Sequence, residues 1–85
     1  MDDGIAGRVR GIVQDARPEM DVSRLAAAVN FDDAGFDSLD HASILFAVQE
    51  AFGLAIPDDV VDDLKSIETI AAFVRKHAVG LAHDG

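Results

Sequence analysis

The chain has 85 residues, 49% of them apolar, with no Trp, Tyr or Cys and a net charge of −9 from seven basic and sixteen acidic side chains. A chain this short forms one domain that buries only about 60% of its unfolded surface, and its acidity excludes nucleic acid, which is bound by clustered Lys and Arg. Without cysteine there is no disulfide framework and no thiolate metal site, so any thiol chemistry must be imported.

The apolar residues are Ala, Val, Ile and Leu with five Phe, a set that suits small packed helices and a stability of about 5 kcal/mol. No run approaches the roughly 18 apolar residues of a membrane span. Met1-Asp2-Asp3 has the opposite charge to a secretory leader, and the expectation is a cytoplasmic protein. Residues 38–65 carry six acids against one base, while residues 66–85 are balanced. The middle of the chain carries the field, and its partners should be basic.

Ile5, Val9, Ile12, Val13 and Ala16 recur at helical spacing, with Asp2 or Asp3 as cap and Pro18 as barrier, so a first helix is expected over about 4–16. Gly4, Gly7 and Gly11 weaken it. Residues 17–37 hold no sustained period and read as a long functional loop. Val22, Leu25, Val29 and Phe31 pin that loop to the core, and Asp21 to Leu25 makes one helical turn. Asp32-Asp33-Ala34-Gly35 then turns the chain into Ser38, which reads as the N-cap of a second helix over about 38–52.

In that helix Leu45, Val48 and Phe52 share a face with Ile44 beside them, while Leu39, Ala42 and Phe46 form a second stripe that is either buried or a working apolar surface. Gly53 ends it, and Pro57-Asp58 opens a short third helix over about 58–64 with Val60, Val61 and Leu64 inward. Ser66 caps a last helix over about 67–78, with Ile67, Ile70, Ala71, Phe73 and Val74 apolar and Arg75, Lys76 and His77 in its last turn. The domain core spans about 4–78, and 79–85 reads as a loose tail.

Three constellations bear on chemistry. Ser38 and His41 sit one helical turn apart, but no Gly-x-Ser-x-Gly elbow or oxyanion hole accompanies them, and His41 reads as a solvent-facing neighbour. The Asp groups 32/33/37/40 and 58/59/62/63 invite a calcium reading. Counted from Asp32, an EF-hand loop would place Asp37 at its glycine position and Ser43 at its bidentate glutamate position, so the test fails and a solvated acidic face remains. His41, His77 and His83 lack metal-ligand spacing, and no tight metal site is expected.

Gly35-Phe36-Asp37-Ser38-Leu39, followed by Asp40, resembles the signature of the acyl carrier proteins. The resemblance continues through Phe52-Gly53-Leu54-Ala55-Ile56-Pro57-Asp58 and Ser66-Ile67-Glu68-Thr69-Ile70, covering about residues 5–78. It implies an all-α, antiparallel four-helix bundle of acyl-carrier type with a long loop between helices 1 and 2 and a short third helix. It further implies a 4′-phosphopantetheine arm, delivered from coenzyme A to Ser38 with magnesium involved, and Asp37 positioning the metal and transferase.

A free-standing, monomeric carrier without catalysis of its own would then hold acyl groups as thioesters in fatty-acid, polyketide or another specialised metabolism. Small side chains such as Ala26, Ala27, Ala28, Ala42 and Ala47 would part to admit the alkyl chain. The implied partners are a phosphopantetheinyl transferase and acyl ligases or synthases with basic docking surfaces. Leu39, Asp40, His41, Ala42, Phe46, Asp58, Asp59, Asp62 and Asp63 form the implied recognition set.

Aminoacyl or peptidyl carriers are an alternative, but they usually surround the serine with Gly-Gly-His/Asp-Ser. The alternative from another class is an acidic interaction module in which Ser38 is only a cap. Departures from the family point to specialisation. Between Ser38 and Phe52 only Asp40 and Glu50 are acidic, Ser43 stands where a glutamate is usual, Gln49 and Ala51 flank Glu50, and Ala34 replaces a frequent leucine. A dedicated carrier, served by its own ligase or synthase, is the expectation.

Overall fold

A computed structural model describes residues 4–84 of the chain. Helix α1 spans Ile5–Ala16, α2 spans Ser38–Phe52 and α3 spans Ile67–Asp84, with a 3₁₀ turn at Val22–Arg24 and a 3₁₀ helix at Asp58–Asp63 in the third helical position. No strand occurs among the described residues, and the fold is the expected all-α helical bundle. α1 packs against both α2 and α3 and against the 3₁₀ turn.

The buried apolar side chains among the described residues form one core, and most of it follows the periodicity. Val9 and Val13 of α1 meet Ile44, Leu45 and Val48 of α2 and Ile67, Ile70, Ala71 and Val74 of α3, all buried. The loop over residues 17–37 is part of that core, because Val22, Phe31 and Phe36 are buried too. Its backbone groups find partners on the helices: Arg10 Nη1 donates to Val22 O at 2.7 Å and Leu25 O at 2.6 Å, and Gln14 Oε1 accepts the Val22 N–H at 3.1 Å. At the far side Phe31 N–H donates to Lys65 O at 2.7 Å and Glu68 N–H to Ala27 O at 2.9 Å. A loop anchored in this way satisfies its buried polar groups as a helix would.

Several boundaries differ from the expectations. Gly4, with φ 80°, stands at the N-cap of α1; Asp2 and Asp3, proposed as caps, lie outside the described residues. The third helix is 3₁₀, not α. Asp58 and Asp62, and Asp59 and Asp63, would be like-charged i, i+4 pairs on an α-helix, and aspartate and valine are weak helix formers. α3 runs on to Asp84 instead of giving way to a loose tail near 78. Ala78, Val79, Leu81 and Ala82 tolerate a helix, and one glycine at 80 costs only about 1 kcal/mol. Arg75, Lys76 and His77 therefore lie mid-helix rather than in the last turn.

Gly53 ends α2 in the left-handed conformation at φ 64°, as its position suggested. Arg8 closes over that end, with its guanidinium 4.5 Å from the centre of the half-buried Phe52 ring.

Candidate functional site at the start of α2

The turn into α2 is built from a loop that closes on itself. Phe36 N–H donates to Phe31 O at 3.0 Å, and the two rings meet with centroids 5.1 Å apart. Between them Gly35 adopts φ 96°, a conformation that a side chain would strain. The chain emerges at Asp37 in extended backbone and enters the helix at Ser38.

Ser38 is not the cap. Asp37 is the N-cap: its Oδ1 accepts the Asp40 N–H at 2.8 Å, and Asp40 Oδ2 accepts the Asp37 N–H at 3.1 Å, a reciprocal capping box. Aspartate is a strong cap and its charge suits the positive end of the helix dipole. The signal was present in the spacing Asp37-x-x-Asp40, acid at cap and acid three residues on. Ser38, one position inside the helix, is exposed, and among the described residues no hydrogen bond to its hydroxyl is formed.

Two residues of the expected docking set, Asp40 and His41, are partly buried. Asp40 is drawn inward, its side chain 17% exposed, and pairs with Arg17 Nη1 at 2.8 Å. The Asp37 N–H, and then Arg17, hold its carboxyl below the ordinary range against the opposing effect of partial desolvation. Arg17, whose guanidinium also binds Glu19, has its own pKa raised first by Glu19 and then by Asp40. The Glu19 carboxyl is correspondingly lowered, chiefly by Arg17. His41 is half-buried rather than solvent-facing. Its Nε2 lies 2.8 Å from Leu64 O and so carries the proton, and its ring sets an edge 6.2 Å from Phe31. It ties α2 to the end of the 3₁₀ helix.

The remaining members of the set are outward. Leu39 is 76% exposed and Phe46 61%, Ala42 is exposed beside them, and Asp58, Asp59, Asp62 and Asp63 are exposed along the 3₁₀ helix. The second apolar stripe of α2 is therefore surface, not core. Between α2 and the 3₁₀ helix lies an apolar groove of about 270 Å³ lined by Ala42, Leu45, Phe46, Gln49, Ile56, Asp58 and Val61. His41 bridges the same two elements at Leu64 O, and Gln49 Oε1 accepts the Ile56 N–H at 2.9 Å on the groove itself. Of the five alanines expected to part for an alkyl chain, Ala42 alone lines it. A larger cleft of about 340 Å³ is polar, with Asp62, Asp63 and Glu68 on its walls and no residue of α2. No three His, Asp or Glu side chains among the described residues come together as a metal site.

The family model described as the phosphopantetheine attachment site matches residues 7–74. The chain is also 37% identical over 73 residues to the acyl carrier protein of Sinorhizobium fredii, covering 85% of this chain and 92% of that protein. The chain belongs to the acyl carrier proteins. The carrier is equally similar to the acyl carrier protein AcpP of Rhizobium meliloti, 37% over 73 residues. It is 34% identical over 74 residues to acyl carrier protein 2, mitochondrial, of Arabidopsis thaliana, where it spans 86% of its own length but 58% of the relative's. Its prosthetic group is 4′-phosphopantetheine, on which acyl groups are carried.

Proposed function

We propose that Ser38 is the attachment residue of this acyl carrier, and that the exposed face of α2 with the acidic 3₁₀ helix is where its enzymes dock. The observation that carries the reading is the Ser38 hydroxyl, exposed at a helix start and released from capping by Asp37. A capping hydroxyl commits a lone pair and its orientation to its own helix; this one is uncommitted. It fits the phosphate end of the arm as the acceptor oxygen, and helix N-termini favour the phosphate's negative charge. Asp37, exposed and committed to the cap through Oδ1, stands next to Ser38 to position a metal-bearing transferase. When bound, the arm supplies the thiol that the chain lacks, for acyl groups held as thioesters.

The apolar groove beside Phe46 is the proposed shelter for the acyl chain, and the 3₁₀ helix, with no α-helical ladder of its own to break, is the wall that yields. The carrier needs no catalysis of its own: its residues accept, shelter and present. No helix among the described residues is long and apolar enough to cross a membrane, and the proposed setting is a cytoplasmic pool of enzymes including a phosphopantetheinyl transferase. Incubation with coenzyme A and such a transferase should add the mass of one arm; an unchanged intact mass would remove the reading in favour of the acidic interaction module.

A specialised pathway is also proposed, and the Arg17 pair strengthens it. With Asp40 tied inward, Glu50 is the acid left on the exposed side of α2, so generic basic partners lose attraction while Phe46 offers an apolar contact. Fatty-acid synthase components should load this carrier poorly, and Ser43→Glu with Ala51→Glu, both at exposed positions, should improve turnover. Loading equal to that of the components' own carrier would exclude specialisation.

A further inference from the structure

Arg17 leaves the end of α1 and reaches across 23 residues of sequence to the attachment turn. Its Nη1 donates both to Gly35 O at 3.2 Å, before Ser38, and to Asp40 Oδ2 at 2.8 Å, after it. Its guanidinium lies 5.6 Å from the centre of the buried Phe36 ring. Asp40 Oδ2 is the same oxygen that accepts the Asp37 N–H in the capping box. One nitrogen thus holds the positive-φ glycine on one side of Ser38 and the second member of the capping box, Asp40, on the other.

We propose that Arg17 is a positioning residue for attachment at Ser38, keeping the first turn of α2 in the conformation that the transferase must bind. The inference rests on the reading of Ser38 as the attachment residue. Without Arg17, Asp40 is a half-buried carboxylate facing the like charge of Asp37, and the turn at Gly35 loses its tie to the helix it feeds. The competent turn is then populated for only part of the time, and the apparent affinity of the partner falls by that fraction.

Transferase kinetics on the whole chain test this, run at about 0.5 M ionic strength so that exposed-charge attraction is screened. Arg17→Ala should raise the KM for the carrier about fivefold, as for a competent fraction near 20%, with kcat held. Arg17→Lys should recover only part, since one ammonium cannot hold Glu19, which Arg17 binds through Nε, together with Gly35 O and Asp40. Asp40→Asn should raise KM similarly, and the double variant no further, because the two act as one unit. Amide exchange at Asp37 and Asp40 should quicken in Arg17→Ala while Val48 and Val74 stay protected.

An unchanged or lower KM would overturn the proposal, as would exchange that quickens throughout the core, which would make Arg17 a general stabiliser only. Failure of the underlying reading shows separately: Ser38→Ala would still gain the mass of the arm.

Discussion

Helices α2 and α3 both begin at a reciprocal cap, yet the serines at the two starts are used differently. At α3 Ser66 is itself the cap. Its hydroxyl accepts the Thr69 N–H at 3.1 Å and lies 3.0 Å from Thr69 Oγ1, and the residue is buried at 6% exposure. At α2 an aspartate caps, an arginine braces the second member of the box, and Ser38 is left outside the network. The comparison teaches that Ser38, the proposed attachment residue, is left available because its neighbours do the ordinary structural work of a cap.

Stability measurements are the first way to break the comparison. Ser66→Ala should cost about 1–2 kcal/mol, the loss of a cap at a buried position. Ser38→Ala should stay within about 0.5 kcal/mol, as at other surface positions. Chemical denaturation of the two variants decides it, and equal losses would show that Ser38 is holding its helix after all.

A smaller effect is expected at the cap itself. Asp37→Ala should lose about 1 kcal/mol, and Asp37→Asn less, since the amide oxygen still accepts the Asp40 N–H. If both variants unfold as the parent does, the helix start is held by Arg17 rather than by the box.

The smallest effect is one of pH. The Asp40 carboxyl is held below its ordinary value of 3.8 in the folded state, so its contribution is complete above that value and is lost as the pH falls through the depressed one. Glu19, also lowered, has the same sign. The stability gap between the parent and Asp40→Asn should therefore be constant near neutrality and close in strong acid. A gap that persists once Asp40 is protonated in strong acid would assign it to side-chain shape instead of charge.

What the sequence made legible follows from range. The α1, α2 and α3 faces, the stop at Gly53 and the cap at Ser66 depend on residues within a turn or two of each other, and the periodicity shows them. The motif marked Ser38 and its surroundings, and the outward stripe of Leu39, Ala42 and Phe46 was visible as excess apolar circumference. Hidden were the contacts set by the path of the loop. Nothing near Arg17 points to Asp40, and nothing near His41 points to Leu64 O; both depend on where residues 17–37 and the 3₁₀ helix come to lie. The misplaced cap is different, since Asp37-x-x-Asp40 stood in plain view and was overshadowed by the serine between them.

The most direct test of the account is peptide mapping by mass spectrometry of the carrier after reaction with coenzyme A and a phosphopantetheinyl transferase, in the parent, Ser38→Ala and Ser66→Ala. The account predicts one arm on the peptide containing Ser38 in the parent, none in Ser38→Ala, and full modification of Ser38 in folded Ser66→Ala. An arm on Ser23, Ser43 or Ser66, or any modification of Ser38→Ala, would contradict it.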